Sequence, residues 1–225
     1  MFDILLQIDS SAAAIASEVK VESLWSLLAK GGPLMIPLGI LFALAIYFFT
    51  ERILVIKKAS NTEESFMIKI RELITNGRLN DAKSLAKTTD HPIARVIEKG
   101  LQRVGKPIDA IEKSMENIGR LEMYQIEKNV SIISVISRIA PLFGFVGTII
   151  GLVMLLKEFA TISNPSISQI ADAMYIKLIT SATGLIIGMM AYLGYSYLDT
   201  QINRIANQIE ASSSELIDIL QEPTQ

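Results

Sequence analysis

The chain has 225 residues, half of them hydrophobic and one-fifth charged, with a net charge of −2. A balance this apolar, with a mean hydropathy of +0.40, points to a membrane protein with one modest soluble part, and the lack of a basic face argues against nucleic acid as a partner. The absence of cysteine excludes disulfides, iron–sulfur clusters and thiolate zinc sites, and a single histidine, His91, excludes a multi-histidine metal centre.

The N-terminal segment, residues 1–30, opens MFDILLQIDS without the positive flank of a secretory signal, and Asp9 interrupts its apolar stretch. It is expected to be retained as a periplasmic or interfacial amphipathic segment, with Trp25 near the membrane surface. The first uncharged run follows, 20 residues from Gly31 to Thr50. A second covers Ile139–Leu156, with Lys157 closing the span at 139–157, and a third covers Leu178–Leu198. Each reaches the roughly 20 apolar residues that a spanning helix needs. Buried helices of a soluble core would show polar positions every third or fourth residue.

Between the first two runs, residues 51–138 hold 16 of the 21 basic residues, and Arg52, Lys57 and Lys58 follow the first run directly. The 158–177 connection has only Lys177 and its flanking Lys157, against Glu158 and Asp172. Positive charge stays on the cytoplasmic side, so the N-terminus is expected outside, the long loop inside, and the 199–225 tail inside. The loop reads as helical: a capping-box pattern at Ser60 and Glu63, a break at Asn76-Gly77, and a helix start at Pro92 with His91 ahead of it as an N-cap or surface residue. From Asp109 the pattern continues without an obvious stop into the second span. The third span is expected to run on with Ile202, Ile205, Ile209 and Leu216 on one side. The fold class expected is therefore an all-α membrane protein, three transmembrane helices with long cytoplasmic helical extensions, assembled as an oligomeric ring.

Glycine and proline weaken a helix, yet the second span reads PLFGFVGTIIG. Gly144, Thr148 and Gly151 share one face, with Gly147 beside them. Ser181, Gly184, Gly188 and Ala191 share a face of the third span, with Thr180 and Thr183 at its edge. Small residues let membrane helices approach closely. Two readings stay open here: ordinary helix contacts with hydroxyls bonded to their own backbone, or faces lining a narrow lumen. None of the three runs contains Asp, Glu, His, Lys or Arg, although proton transfer across a bilayer normally uses such an ionisable relay. The carboxylate for such transfer would have to come from a partner. Asp172 and Lys177 mark the outer edge and Arg138 the inner edge, each also readable as an interface anchor.

APLFGFVGTIIG (Ala140–Gly151), ADAMYIKLITSATGL (Ala171–Leu185) and HPIARVIEKGL (His91–Leu101) together resemble the signatures of the MotA/TolQ/ExbB proton-channel family, most closely its ExbB and TolQ branches. The resemblance implies an inner-membrane homopentamer whose second and third spans line a pore around a dimer of a single-span, ExbD- or TolR-like partner. That partner would carry a membrane aspartate, and a TonB- or TolA-like protein would receive the work. It implies no enzyme activity and no cofactor or metal. The family's pore threonine maps onto Thr148, and a second hydroxyl, usually threonine, onto Ser181. Where many members carry a glutamate just ahead of that hydroxyl, this chain has Ile176 followed by Lys177. Thr180 and Thr183 complete the expected proton path, with Gly144, Gly147, Gly151, Gly184 and Gly188 as its small lining and Asp172, Lys177 and Arg138 as mouth charges. The function expected is conversion of proton-motive force into work for outer-membrane transport. The alternative is a passive membrane scaffold.

Overall fold

The computed structural model describes residues 32–60, 65–161 and 166–221, and within the last stretch the side chains of Gln169, Asp172, Ala173 and Ile176 stand outside the description. Trp25 and the rest of the N-terminal segment, and separately Glu63 of the capping-box pattern, lie outside the described residues. Seven α-helices and no strand occur among those described: α1 Met35–Ser60, α2 Ser65–Thr75, α3 Leu79–Thr88, α4 Pro92–Gln102, α5 Ile108–Glu127, α6 Val130–Phe159 and α7 Ile167–Gln221. Three of them, α1, α6 and α7, are long and apolar enough to cross a membrane.

By contacts the chain divides into two compact units, the first built from residues up to Gly39 and from Pro141–Leu185, the second from Ile40–Ala140 and Ile186–Gln225. The division in α6 falls at Pro141, which lacks an amide hydrogen for the carbonyl four residues back.

The second unit has a core of aliphatic side chains in helical register. Helix α2 buries Phe66 and Ile70, α3 buries Ala82 and Ala86, and α4 buries Ile93, Ala94, Val96, Ile97 and Leu101. The second half of α7 contributes Leu198, Ile202, Ile205, Ile209, Leu216 and Ile219, all buried. The ridge expected at Ile202, Ile205, Ile209 and Leu216 therefore faces the core. The Asn76-Gly77 break is also present. Gly77, at φ 75°, closes α2 with bonds from its own amide to the Ile74 carbonyl (2.9 Å) and from the Arg78 amide to the Leu73 carbonyl (2.8 Å), a left-handed helix end that glycine adopts without strain.

One expectation is corrected. The helix from Asp109 does not run unbroken into the second span: α5 stops at Glu127, Lys128 is extended at ψ 135°, and Asn129 sits at φ 68° before α6 begins. Asparagine tolerates the left-handed region better than most residues. Tertiary partners hold the break open. The Arg52 guanidinium, 3% exposed, donates to the Gln125 carbonyl (2.9 Å) and the Ile126 carbonyl (3.2 Å), which the interrupted helix leaves free. Asn129 Nδ2 donates to the Glu51 carboxylate at 3.2 Å, and Glu51 pairs with Arg52 at 3.2 Å. The end of α1 thus caps α5 and fixes the turn into α6.

Candidate functional site

The membrane stretch of α6 and the first part of α7 face each other in the first unit through their smallest residues. A Cβ added at Gly144 would stand 3.0 Å from the Ser181 carbonyl oxygen, 3.1 Å from Ser181 Cα and 3.2 Å from the Thr180 oxygen. These are backbone atoms, which cannot swing away. At Gly147 the same addition would meet Thr180 Cγ2 at 3.1 Å and Leu34 Cδ1 at 3.2 Å. Gly144, Gly147, Gly151 and Gly184 are buried, and so is Thr180, at 3% exposure. Close backbone approach of this kind is what holds apolar helices together where hydrophobicity cannot discriminate between helix and lipid.

Thr148 sits at the centre of this seam. Its hydroxyl is 3.2 Å from the Gly144 carbonyl, one turn back on its own helix, and 3.5 Å from the Lys177 carbonyl across on α7. Ser181 and Thr183 are half-buried, and Thr183 donates to the Ile179 carbonyl at 2.8 Å. The seam therefore brings together Thr148, Gly144, Gly147, Gly151, Lys177, Thr180 and Ser181. Other residues expected at the site make no described contact with it. Arg138 is exposed and bonds Ser134 of its own helix, through the carbonyl at 3.2 Å and the hydroxyl at 3.1 Å. Gly188 is buried but belongs to the second unit. Asp172 lies on α7, its side chain outside the description.

A second polar cluster, in the second unit, is held much more tightly. His91 caps α4: its Nδ1 accepts from the Ile93 amide (3.2 Å), so Nε2 carries the proton and donates to the Ala59 carbonyl in the last turn of α1 (2.8 Å). Both ring positions are committed to the neutral form. Burial accordingly pushes the His91 pKa down, with the nearby Arg95 charge adding to the effect and the Ala59 bond, Asp90 and Glu122 opposing it. Arg95 grips the Glu122 carboxylate with two bonds, 2.7 and 2.6 Å, which raises the Arg95 pKa, and it also reaches Asp90 at 2.9 Å. Lys58, bonded to Asp90 at 2.8 Å, is the main reason the Asp90 pKa is lowered. The N-cap expectation for His91 is met. The bonds tying it to α1, and those of Arg52 and Asn129, were not legible in the sequence; a charged residue recurring in an apolar helical pattern, as Arg52 does, is the one signal that could have drawn attention there.

Comparison with known proteins agrees with this architecture. A protein described as a putative biopolymer transport protein ExbB homolog of Methanothermobacter thermautotrophicus is 24% identical over 172 residues, taking in 75% of this chain but only 61% of that one. Biopolymer transport protein exbB1 of Vibrio cholerae is 24% identical over 197 residues, 84% of this chain and 85% of its own. Residues 88–211, which carry α4 to α7 through most of its length and include Thr148 and Ser181, match the family model outright. The chain belongs to the MotA/TolQ/ExbB proton channel family.

Proposed function

We propose that this chain is the channel-forming subunit of an inner-membrane motor of the ExbB–ExbD or TolQ–TolR type. Five copies surround a dimer of a single-span partner, and protons move past Thr148 and Ser181 on the partner's membrane aspartate. Cyclic motion of partner against ring passes through a TonB- or TolA-like protein to drive outer-membrane transport. The N-terminus is periplasmic and the C-terminus cytoplasmic. Thr148 carries this reading: it is the one polar side chain of the second apolar run, it lies within the family-matched segment, and α7 presents hydroxyls and a carbonyl opposite it. The apolar runs supply no carboxylate, so the titrating group belongs to the partner.

Thr148→Val tests it. Valine keeps the shape and removes the hydroxyl, so the protein should accumulate normally in the membrane. Energised transport should fall by at least roughly tenfold, the scale on which loss of one positioned hydrogen-bonding group is felt. A second reading, a passive scaffold, is favoured by the contact of Gly144 with the Ser181 backbone, which serves packing whether or not ions pass. Under it, Thr148→Val leaves transport unchanged.

A further inference from the structure

We infer that Lys177 makes the pathway selective for protons over metal cations, an inference that rests on the channel reading above. Lysine at a membrane edge ordinarily extends its ammonium to water. Here the stem is laid across Gly151 instead: a Cβ at Gly151 would overlap Lys177 Cδ and stand 2.7 Å from Cγ and 2.9 Å from Cε. Only glycine leaves that room. Gly151 lies three residues beyond Thr148 on the same face of α6, about 4.5 Å along the axis. The ammonium, one bond past Cε, thereby follows a stem laid on the α6 face that carries Thr148, whose hydroxyl contacts the Lys177 carbonyl at 3.5 Å. No ion pair to Lys177 occurs among the described residues.

A positive charge beside the threonine, without an ion pair among the described residues, treats the two kinds of ion differently. A sodium ion would need oxygen ligands in place of its water and would have to pass the ammonium as a second full positive charge. At about 6 Å and an effective dielectric constant of about 20, that repulsion disfavours the ion by on the order of tenfold to a hundredfold. A proton bound to the partner's carboxylate passes as a neutral carboxylic acid and meets no such barrier. The emptied carboxylate is attracted to the same ammonium, which favours its return to the site.

The test is sodium and proton uptake in membrane vesicles from cells producing the full chain with its native partners. Wild type should take up protons and exclude sodium. Lys177→Met should slow proton uptake and raise sodium uptake about tenfold or more, whereas Lys177→Arg, which keeps the charge, should still exclude sodium. Gly151→Ala, which displaces the stem without removing the charge, should give an intermediate sodium leak. Sodium uptake by wild type overturns the inference, as does a Lys177→Met variant that excludes sodium or a Lys177→Arg variant as leaky as Lys177→Met. A Gly151→Ala variant as tight as wild type overturns the pinning by glycine. Wild-type proton uptake by Thr148→Val would overturn the channel reading itself, a result separable from all of these.

Discussion

The core of the second unit and the membrane seam of the first are built on opposite principles. In the former, branched aliphatic side chains fill a core, and buried polar groups such as Arg52, His91 and Glu122 are bonded across elements. In the latter, the contact is made by glycines and hydroxyls. Thr183 bonds its own helix, Thr148 divides its hydroxyl between its own helix and α7, and Lys177 has no ion-pair partner among the described residues. The first arrangement fixes one geometry, since each bond lost leaves a buried group unsatisfied. The second depends chiefly on space, with the Thr148 and Thr183 hydroxyls bonded to backbone carbonyls and few side-chain bonds joining the two helices.

If the seam depends on space, filling it should do the most damage. Gly144→Leu would drive a side chain into the Ser181 and Thr180 backbone, costing more than about 3 kcal/mol. Little folded protein should then be recovered from membranes. Gly39→Ala in the same unit, where a Cβ meets nothing within 4 Å, should be recovered like wild type. Comparable losses from both would remove the argument from space.

If the second unit depends on bonds, cutting them should be next in size. Arg52→Met leaves the Gln125 and Ile126 carbonyls without their donor, an expected loss of roughly 2–3 kcal/mol, read by thermal unfolding in detergent. Arg52→Lys should recover only part, because one ammonium cannot reproduce the guanidinium fork.

His91 sharpens the same point through pH. Its folded pKa lies below the ordinary 6.5 because burial disfavours the charged ring. Below pH 6.5 the unfolded chain therefore binds the proton more readily than the folded one. The His91 contribution is complete above pH 6.5 and declines as pH falls toward the folded value. Stability should drop between pH 7.5 and pH 5.5, and His91→Ala, costing about 1–2 kcal/mol at neutral pH, should flatten that dependence. An unchanged slope in the variant would show that other groups carry it. Smallest of all is Lys58→Ala. The Lys58–Asp90 pair, with side chains 75% and 70% exposed, is screened by water and salt, so unfolding should not shift measurably.

Much of the candidate site was readable from spacing. Gly144, Thr148 and Gly151 at four and three residues apart must share a helix face, and the face of Ser181, Gly184 and Gly188 follows from the same periodicity. What those faces meet was not readable, because periodicity is a property of one helix and a contact belongs to two. Hence the Lys177 stem lying in the Gly151 notch, between residues 26 apart in the chain, had no local signature.

By itself the sequence determined three apolar helices, the break at Asn76-Gly77, the cap at His91 and the ridge along α7. All of these follow from near-neighbour sterics, hydrogen-bond chemistry and hydrophobic period. Only the tertiary structure decided where α5 stops. Nothing between Asp109 and Ala140 forbids a continuous helix, and the break at Lys128–Asn129 exists because Arg52 and Glu51, more than 70 residues earlier, bind the carbonyls that it leaves open and the Asn129 side chain that turns it.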